Sequence, residues 1–217
     1  MASVALLDYG FGNILSLESA LLEVGLEVAR LEHGATLHAY DSVVVPGAGA
    51  FFPAMRALEA HGMFSGIWNF YEELRRPILG INLGFHALSS GSEESPGQPG
   101  LNLLPGTARQ LPSNVPSPFI GWTPVDILQE DPLLEGIGPT APFHITQTHY
   151  LTPVDPRTLL ARHRIGNVEA ATVMRRKAVW GVQFDPVKSG EAGLQVLANF
   201  ARIVAHTSAP VEAEPGT

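Results

Sequence analysis

The 217-residue chain contains no cysteine. That absence excludes disulfides, thiolate metal sites and a cysteine nucleophile anywhere along it. Basic residues are scarce: 13 Lys and Arg stand against 21 Asp and Glu, for a formal net charge of -8. The longest basic run is the short Arg175 to Lys177, so neither nucleic acid nor an anionic membrane surface is an expected partner. No stretch reaches the ~18 consecutive apolar residues of a membrane span. The apolar run at the N-terminus is broken by Asp8 and has no basic flank, which fits a buried strand and not a signal peptide. A cytoplasmic location is therefore expected. What is abundant is apolar side chain, 45% of residues, enough for one sizeable core. The reading is a single domain over residues 1–206, followed by a polar, Pro-rich tail at 207–217 that is expected to be disordered.

Short apolar runs at Val4 to Leu7, Leu26 to Leu31, "SVVV" from Ser42 and "PILGI" from Pro77 alternate with helical patterns, at Ile14 to Val24 and at Phe51 to Leu74 with a break near Gly62. Strands alternating with helices imply an α/β fold, with a mostly parallel central sheet covered by helices on both faces. After Gly91 the texture changes. Pro and Gly punctuate short alternating runs such as "FHITQTHY" and "VEAATVMR", which suit a smaller antiparallel portion. The chain then returns to an apolar strand, "VWGVQF", and a last helix with Leu194, Leu197, Ala198, Ala201 and Val204 on one face. Trp180 is expected in the core.

Ligands in an open parallel sheet sit beyond the carboxyl ends of the strands. The turn after "PILGI" reads Gly80-Ile81-Asn82-Leu83-Gly84, two glycines flanking one displayed residue at a helix start. An enzyme shows a nucleophile from such a strand-to-helix turn, with helix N-terminal amides at hand for negative charge. Here the displayed residue is Asn82. Asparagine is one of the few non-glycine residues that tolerate positive φ, so the turn is kept while its delocalised carboxamide supplies no nucleophile.

Six loops, taken together, resemble the glutaminase subunit of imidazole glycerol phosphate synthase, a class I triad glutamine amidotransferase family. They are "DYGFGN" at Asp8, "PGAGAF" at Pro46, "GINLGFH" at Gly80, "GSEE" at Gly91, "PFIGWT" at Pro118 and "GVQFDPVKSG" at Gly181. The resemblance implies a Cys-His-Glu triad, whose positions carry Asn82, Asp185 and Val187 in this chain. It implies an oxyanion strand at Gly47, Ala48 and Gly49, and a substrate pocket at His86, Glu94, Gln147, Thr148 and His149. Of the pocket side chains only Glu94 keeps the family type, so glutamine binding is expected to be weak or absent.

The resemblance also implies a heterodimer with a (β/α)₈ cyclase, and maps partner-facing positions onto Asn13, Trp122 and Lys188. All three keep the family's residue type. The expectation is a docking or regulatory subunit without glutaminase activity. Its rival is a hydrolase or small-molecule-binding protein of different chemistry, in which His86 and Asp185 activate a water. No cofactor is implied. His144 and His149, five residues apart on one expected strand, should face opposite sides, so no metal site is expected. Ser89 and Ser90 are expected to face solvent.

Overall fold

The structure is a computed structural model and describes residues 1–208. Its first half is a βα alternation. Strand β1 (Ser3–Leu7) leads through a glycine-bearing loop to helix α1 (Ile14–Glu23), and β2 (Glu27–Leu31) follows. Gly25, at φ +88°, makes the turn out of α1. Strand β3 (Ser42–Val45) precedes helices α2 (Phe51–Ala60) and α3 (Met63–Asn69), which are separated at Gly62 in left-handed conformation. Strand β4 (Ile78–Ile81) runs straight into the short helix α4 (Leu83–Leu88).

The second half supplies β5 (Gly91–Ser92), β6 (Gly106–Gln110), β7 (Phe119–Pro124), β8 (Asp126–Ile127), β9 (Pro142–Gln147), β10 (His149–Pro153), β11 (Leu159–Ile165), β12 (Val168–Arg176) and β13 (Val179–Val182). Helix α5 (Gly190–Ser208) ends the described chain. It continues two residues past the expected boundary at 206, and residues 209–217 of the expected tail lie outside the described residues. The main sheet has the order β2-β1-β3-β4-β13-β12-β11-β8. Its first five strands are mutually parallel and the remaining three join antiparallel. Two smaller sheets, β10-β6-β5 and β7-β9, complete the fold; their pairs are antiparallel except for β5 with β6, which is parallel.

Side chains alternate across the parallel strands and build a core on each face. Ala5, Leu7, Val43 and Val45 pack toward Phe51, Met55, Met63 and Phe85 of α2, α3 and α4. Val4, Leu6, Val44 and Ile81 pack on the opposite face with Leu17 and Leu21 of α1 and Leu197 and Phe200 of α5. In α5 the fully buried side chains are Val196, Leu197, Phe200 and Val204, whereas Leu194, Ala198 and Ala201 are half-buried. The buried face is rotated from the expected one because Asn199 is drawn inward, donating to the carbonyls of Leu133 and Glu135. Trp180 is buried as expected, its indole N–H donating to Asp131 at 3.0 Å.

Helix α4 lies unusually close to β3. A Cβ on Gly84 would collide with the carbonyl oxygen of Val45, and one on Gly80 with the side chain of Leu88 and the carbonyl of Gly84. By contrast a Cβ on Gly25 would meet nothing within 4 Å. Gly84→Ala is therefore expected to cost about 3 kcal/mol or more of folding stability, because backbone must move to admit the methyl. Gly25→Ala should cost only its left-handed backbone, about 1 kcal/mol. Thermal melts of the two variants check this; equal losses would show that α4 adjusts freely.

Candidate functional site

Asn82 sits at φ +54°, ψ -113°, between the end of β4 and the start of α4. Its N–H continues the β4–β13 ladder to Val182 at 2.8 Å, and its carbonyl accepts from the amides of Phe85 at 3.0 Å and His86 at 3.3 Å. The residue is thus held at both ends in a conformation that side chains with a Cβ seldom adopt. Beside it runs the Pro46 to Gly49 segment. Gly47 leaves no space for a side chain against Leu83, the Gly84 amide and the Tyr9 hydroxyl. The Leu83 N–H points to the carbonyl oxygen of Gly47 at 3.4 Å. An amide placed after the displayed residue is a natural donor for a developing oxyanion, but here it faces a carbonyl.

The first loop holds this segment from the other side. Tyr9 donates its hydroxyl to the Pro46 carbonyl at 2.5 Å, and burial pushes its phenol well above the ordinary value. Gly12, at φ +108°, packs against the Gly47 amide. In the sequence the only sign of this role is the place of Tyr9 inside the "DYGFGN" loop.

Two cavities meet at this turn, and Ala48, Asn82 and Thr146 line both. The smaller, of about 150 Å³, is also lined by Asn13, Gly47, His144, Asp185, Val187 and Lys188. The larger, of about 370 Å³, is lined by Gly49, His86, Glu94, Gln147, Thr148, His149 and Gln183. The two residues of the hydrolase reading are divided between these adjoining cavities, Asp185 on the smaller and His86 on the larger. Asp185 spends one carboxylate oxygen on the amides of Val187 at 3.0 Å and Lys188 at 3.2 Å, closing the turn that leads to α5. His86 bonds through Nε2 to Oε1 of Gln183 at 2.7 Å. Burial, more than the proximity of His149, pushes the His86 imidazole down to about 4, so it is uncharged near neutral pH.

The remaining pocket residues also find local partners. Glu94 is exposed and accepts from the Phe51 amide at the start of α2, at 3.1 Å. Thr148 and His149 bond to each other at 2.9 Å. Gln147 is buried with both amide atoms unpartnered. His144 and His149 do not share the strand expected of "FHITQTHY": Thr148 divides it into β9 and β10, which belong to different sheets. His144 is buried and His149 half-buried. Ser89 is buried too, against expectation, because its hydroxyl caps the end of α4 by donating to the His86 carbonyl. Among the described residues no group of three His, Asp or Glu is placed to hold a metal ion. None of their helices is long and apolar enough to cross a membrane.

Trp122 is 64% exposed and Ile120 is 62% exposed. Both lie on the outer face of β7, where the strand's period of two leaves Phe119 turned inward. The Trp122 ring meets the edge of His144, its register partner on β9, with ring centroids 4.7 Å apart. Through His144 the exposed indole adjoins the smaller cavity, whose rim carries Asn13 and Lys188, both exposed. The Lys188 ammonium is 3.9 Å from the Asp185 carboxylate. His144 is the residue missed here; its pairing opposite Trp122 depends on strand register, which no local pattern reveals.

No family model matches the sequence. The chain is 36% identical over 206 residues to imidazole glycerol phosphate synthase subunit HisH of Moorella thermoacetica, covering 95% of this chain and 97% of that protein. It is 34% identical to the HisH subunit of Chlorobaculum tepidum, covering 91% of this chain and 98% of the relative. Among solved structures, that of PurLQS from Thermotoga maritima matches with a TM-score of 0.74 at 19% identity, over 93% of this chain and 98% of the other. A glutamine amidotransferase matches at 0.70 and 18% identity, over 93% and 98%. The structural likenesses establish a glutamine amidotransferase-like α/β fold.

Burial pushes a second imidazole, His163, down to about 4 as well. Both His86 and His163 refuse protons that the unfolded chain accepts near its ordinary value. Their contribution to stability is therefore expected to be constant above pH ~6.5 and to fall as the pH drops from there toward 4, each histidine contributing on the order of 3 kcal/mol at most. His86→Gln should flatten part of this acid limb in pH-dependent denaturation. An unchanged slope would mean that His86 is protonated in the folded protein.

Proposed function

The chain belongs to the family of imidazole glycerol phosphate synthase HisH subunits, and we propose that it acts as a docking or regulatory subunit without glutaminase activity. Its partner on this reading is a (β/α)₈ cyclase supplied with free ammonia, in a heterodimer. The observation that carries the proposal is Asn82, held at φ +54° in the turn that would display a nucleophile, in a chain without a single cysteine. Covalent attack on glutamine needs a thiolate or an equivalent nucleophile. A carboxamide nitrogen, its lone pair delocalised into the carbonyl, offers none.

The surroundings support the same reading. A proton shuttle beside the nucleophile has to exchange a proton near neutral pH. Asp185 instead accepts from two backbone amides, and Val187 has no polar atom with which to orient an imidazole. The Leu83 amide is directed at the Gly47 carbonyl. On the other side, an exposed Trp122 above the rim that carries Asn13 and Lys188 has the form of an interface anchor with a charged neighbour. His86 and Asp185 line different cavities and have different partners, so the hydrolytic alternative finds less support.

Glutamine turnover is expected at background, with and without the cyclase. Asn82→Cys alone should not raise it, because neither Asp185 nor Val187 supplies the missing shuttle. Measurable glutaminase activity of the unmodified protein would overturn the reading. For docking, Trp122→Ala should weaken association with the cyclase by about 2 kcal/mol, roughly 30-fold, with an almost unchanged melting temperature. Lys188→Ala should act mainly on the association rate and lose its effect in high salt. Undiminished cyclase affinity in Trp122→Ala, measured by a binding isotherm, would remove the anchor from the interface.

A further inference from the structure

The run Arg175-Arg176-Lys177, the longest basic stretch of the sequence, takes no part in the Asn82 turn or in the exposed face of β7. It lies at the other end of the sheet. Arg176 and Val179 are register partners on β12 and β13, so Lys177 and Ala178 form the two-residue loop between them. Ile78 of β4 is the parallel register partner of Val179 and donates its amide to the Ala178 carbonyl at 2.9 Å, which sets Arg75 and Arg76 beside that loop. At the rise of a strand, Arg76 and Asn82 are about 20 Å apart. Five of the 13 Lys and Arg therefore gather at the amino ends of two central strands in an acidic chain.

Arg75 pairs with Glu72 and Arg175 with Asp131, each at 2.8 Å. Arg76 donates to the Tyr40 carbonyl at 2.8 Å and Arg176 to that of Leu103 at 3.5 Å, while the Asp41 carboxylate beside Tyr40 accepts from the Ser3 amide and hydroxyl. Among the described residues no ion pair reaches Arg76, Arg176 or the exposed Lys177. Lys177 is also strained, at φ +56°; Arg75, Asn82 and Asn102 are the other described non-glycine residues at positive φ. Arg75, left-handed after the helical turn at Phe70–Leu74, and Lys177, first in a two-residue hairpin loop, both hold places that commonly go to glycine. Arg75 gains its ion pair there. The Lys177 side chain gains no bond among the described residues, although Arg175 braces the loop by donating through Nε to the Lys177 carbonyl at 2.9 Å, its guanidinium over the Trp180 ring. A strained, rigidly presented cation without a partner inside the fold points to one outside it.

We propose that Arg76, Arg176 and Lys177 form a docking patch for an extended acidic segment of a partner protein, at the end of the sheet opposite the Asn82 turn. Neither cavity at that turn reaches these residues. Strand spacing of about 4.8 Å holds the cations apart, so they match a row of carboxylates better than one small anion. Guanidinium groups bind carboxylates through paired N–H donors. A long nucleic acid would be repelled by the formal net charge of -8, whereas a short acidic segment touches only the patch. The patch is independent of the surface at Trp122.

Fluorescence anisotropy of a labelled octaglutamate peptide, titrated with the full chain at low ionic strength, tests this. Saturable binding is expected, at least tenfold tighter than that of octaglutamine and weakened by added salt. Lys177→Gly combined with Arg176→Gln should weaken it about tenfold. Lys177→Gly by itself is expected to keep or raise the melting temperature, since glycine carries no Cβ to strain at that φ. Trp122→Ala should leave the peptide affinity unchanged. The proposal is overturned by the absence of saturable binding in the millimolar range, by equal affinity for octaglutamine, or by affinity untouched in the double variant. It is equally overturned by tighter binding of a single-stranded oligonucleotide of the same charge, by loss of peptide binding in Trp122→Ala, or by a lowered melting temperature of Lys177→Gly, which would make the lysine a structural residue.

Discussion

The close approach of the β4–α4 turn to the exit of β3 is the constraint on which the rest of the site depends. Gly84 lies against the Val45 carbonyl, and Gly47 lies against Leu83 and the Gly84 amide. Backbone meets backbone there without an intervening side chain. That proximity forces the chain to turn within one residue, places Asn82 at positive φ, and brings the Leu83 amide to the Gly47 carbonyl. Tyr9 and Gly12 then close the Pro46 to Gly49 segment from the first loop. Ala48, Gly49, Asn82 and Leu83, which line the cavities, are positioned by this junction.

A turn of this kind is costly to hold, and it is held here without the residue that would make it chemically useful. The ease with which asparagine enters the left-handed helical region does not remove the cost, because ψ -113° places Asn82 outside that region. The positions around it have settled into structural work. Asp185 closes a turn, Glu94 caps α2, and Ser189 ties the Asp185 carbonyl to the His144 amide. Each such bond stabilises the fold and removes a group from any proton-transfer chain. That pattern of bonded groups adds to the missing thiol in supporting the proposed lack of glutaminase activity.

The two cavities differ in character. The smaller opens beside Trp122, Asn13 and Lys188 and belongs with the outer surface of the β7–β9 pair. The larger holds neutral imidazole and carboxamide groups, several of them out of water and unbonded. Low dielectric makes such groups expensive when they lack partners.

The sequence by itself determined a great deal. The period of apolar runs predicts the α/β order, "GINLGFH" predicts the sharp turn with Asn82 at positive φ, and the lack of cysteine settles what the turn cannot display. These properties are local, or simply compositional, so they can be read along the chain. What only the tertiary structure decided depends on register and on packing between distant segments. Register set His144 under Trp122, and strand breaking at Thr148 sent His144 and His149 to different sheets. Packing gave His86 the partner Gln183, 97 residues away, and left Asp185 on the other cavity. It also turned α5 toward Val196 and Phe200 through Asn199, and buried Ser89 at the end of α4. A side chain's type limits the bonds it can make. Which of them it makes is decided by the neighbours that folding brings within about 3 Å.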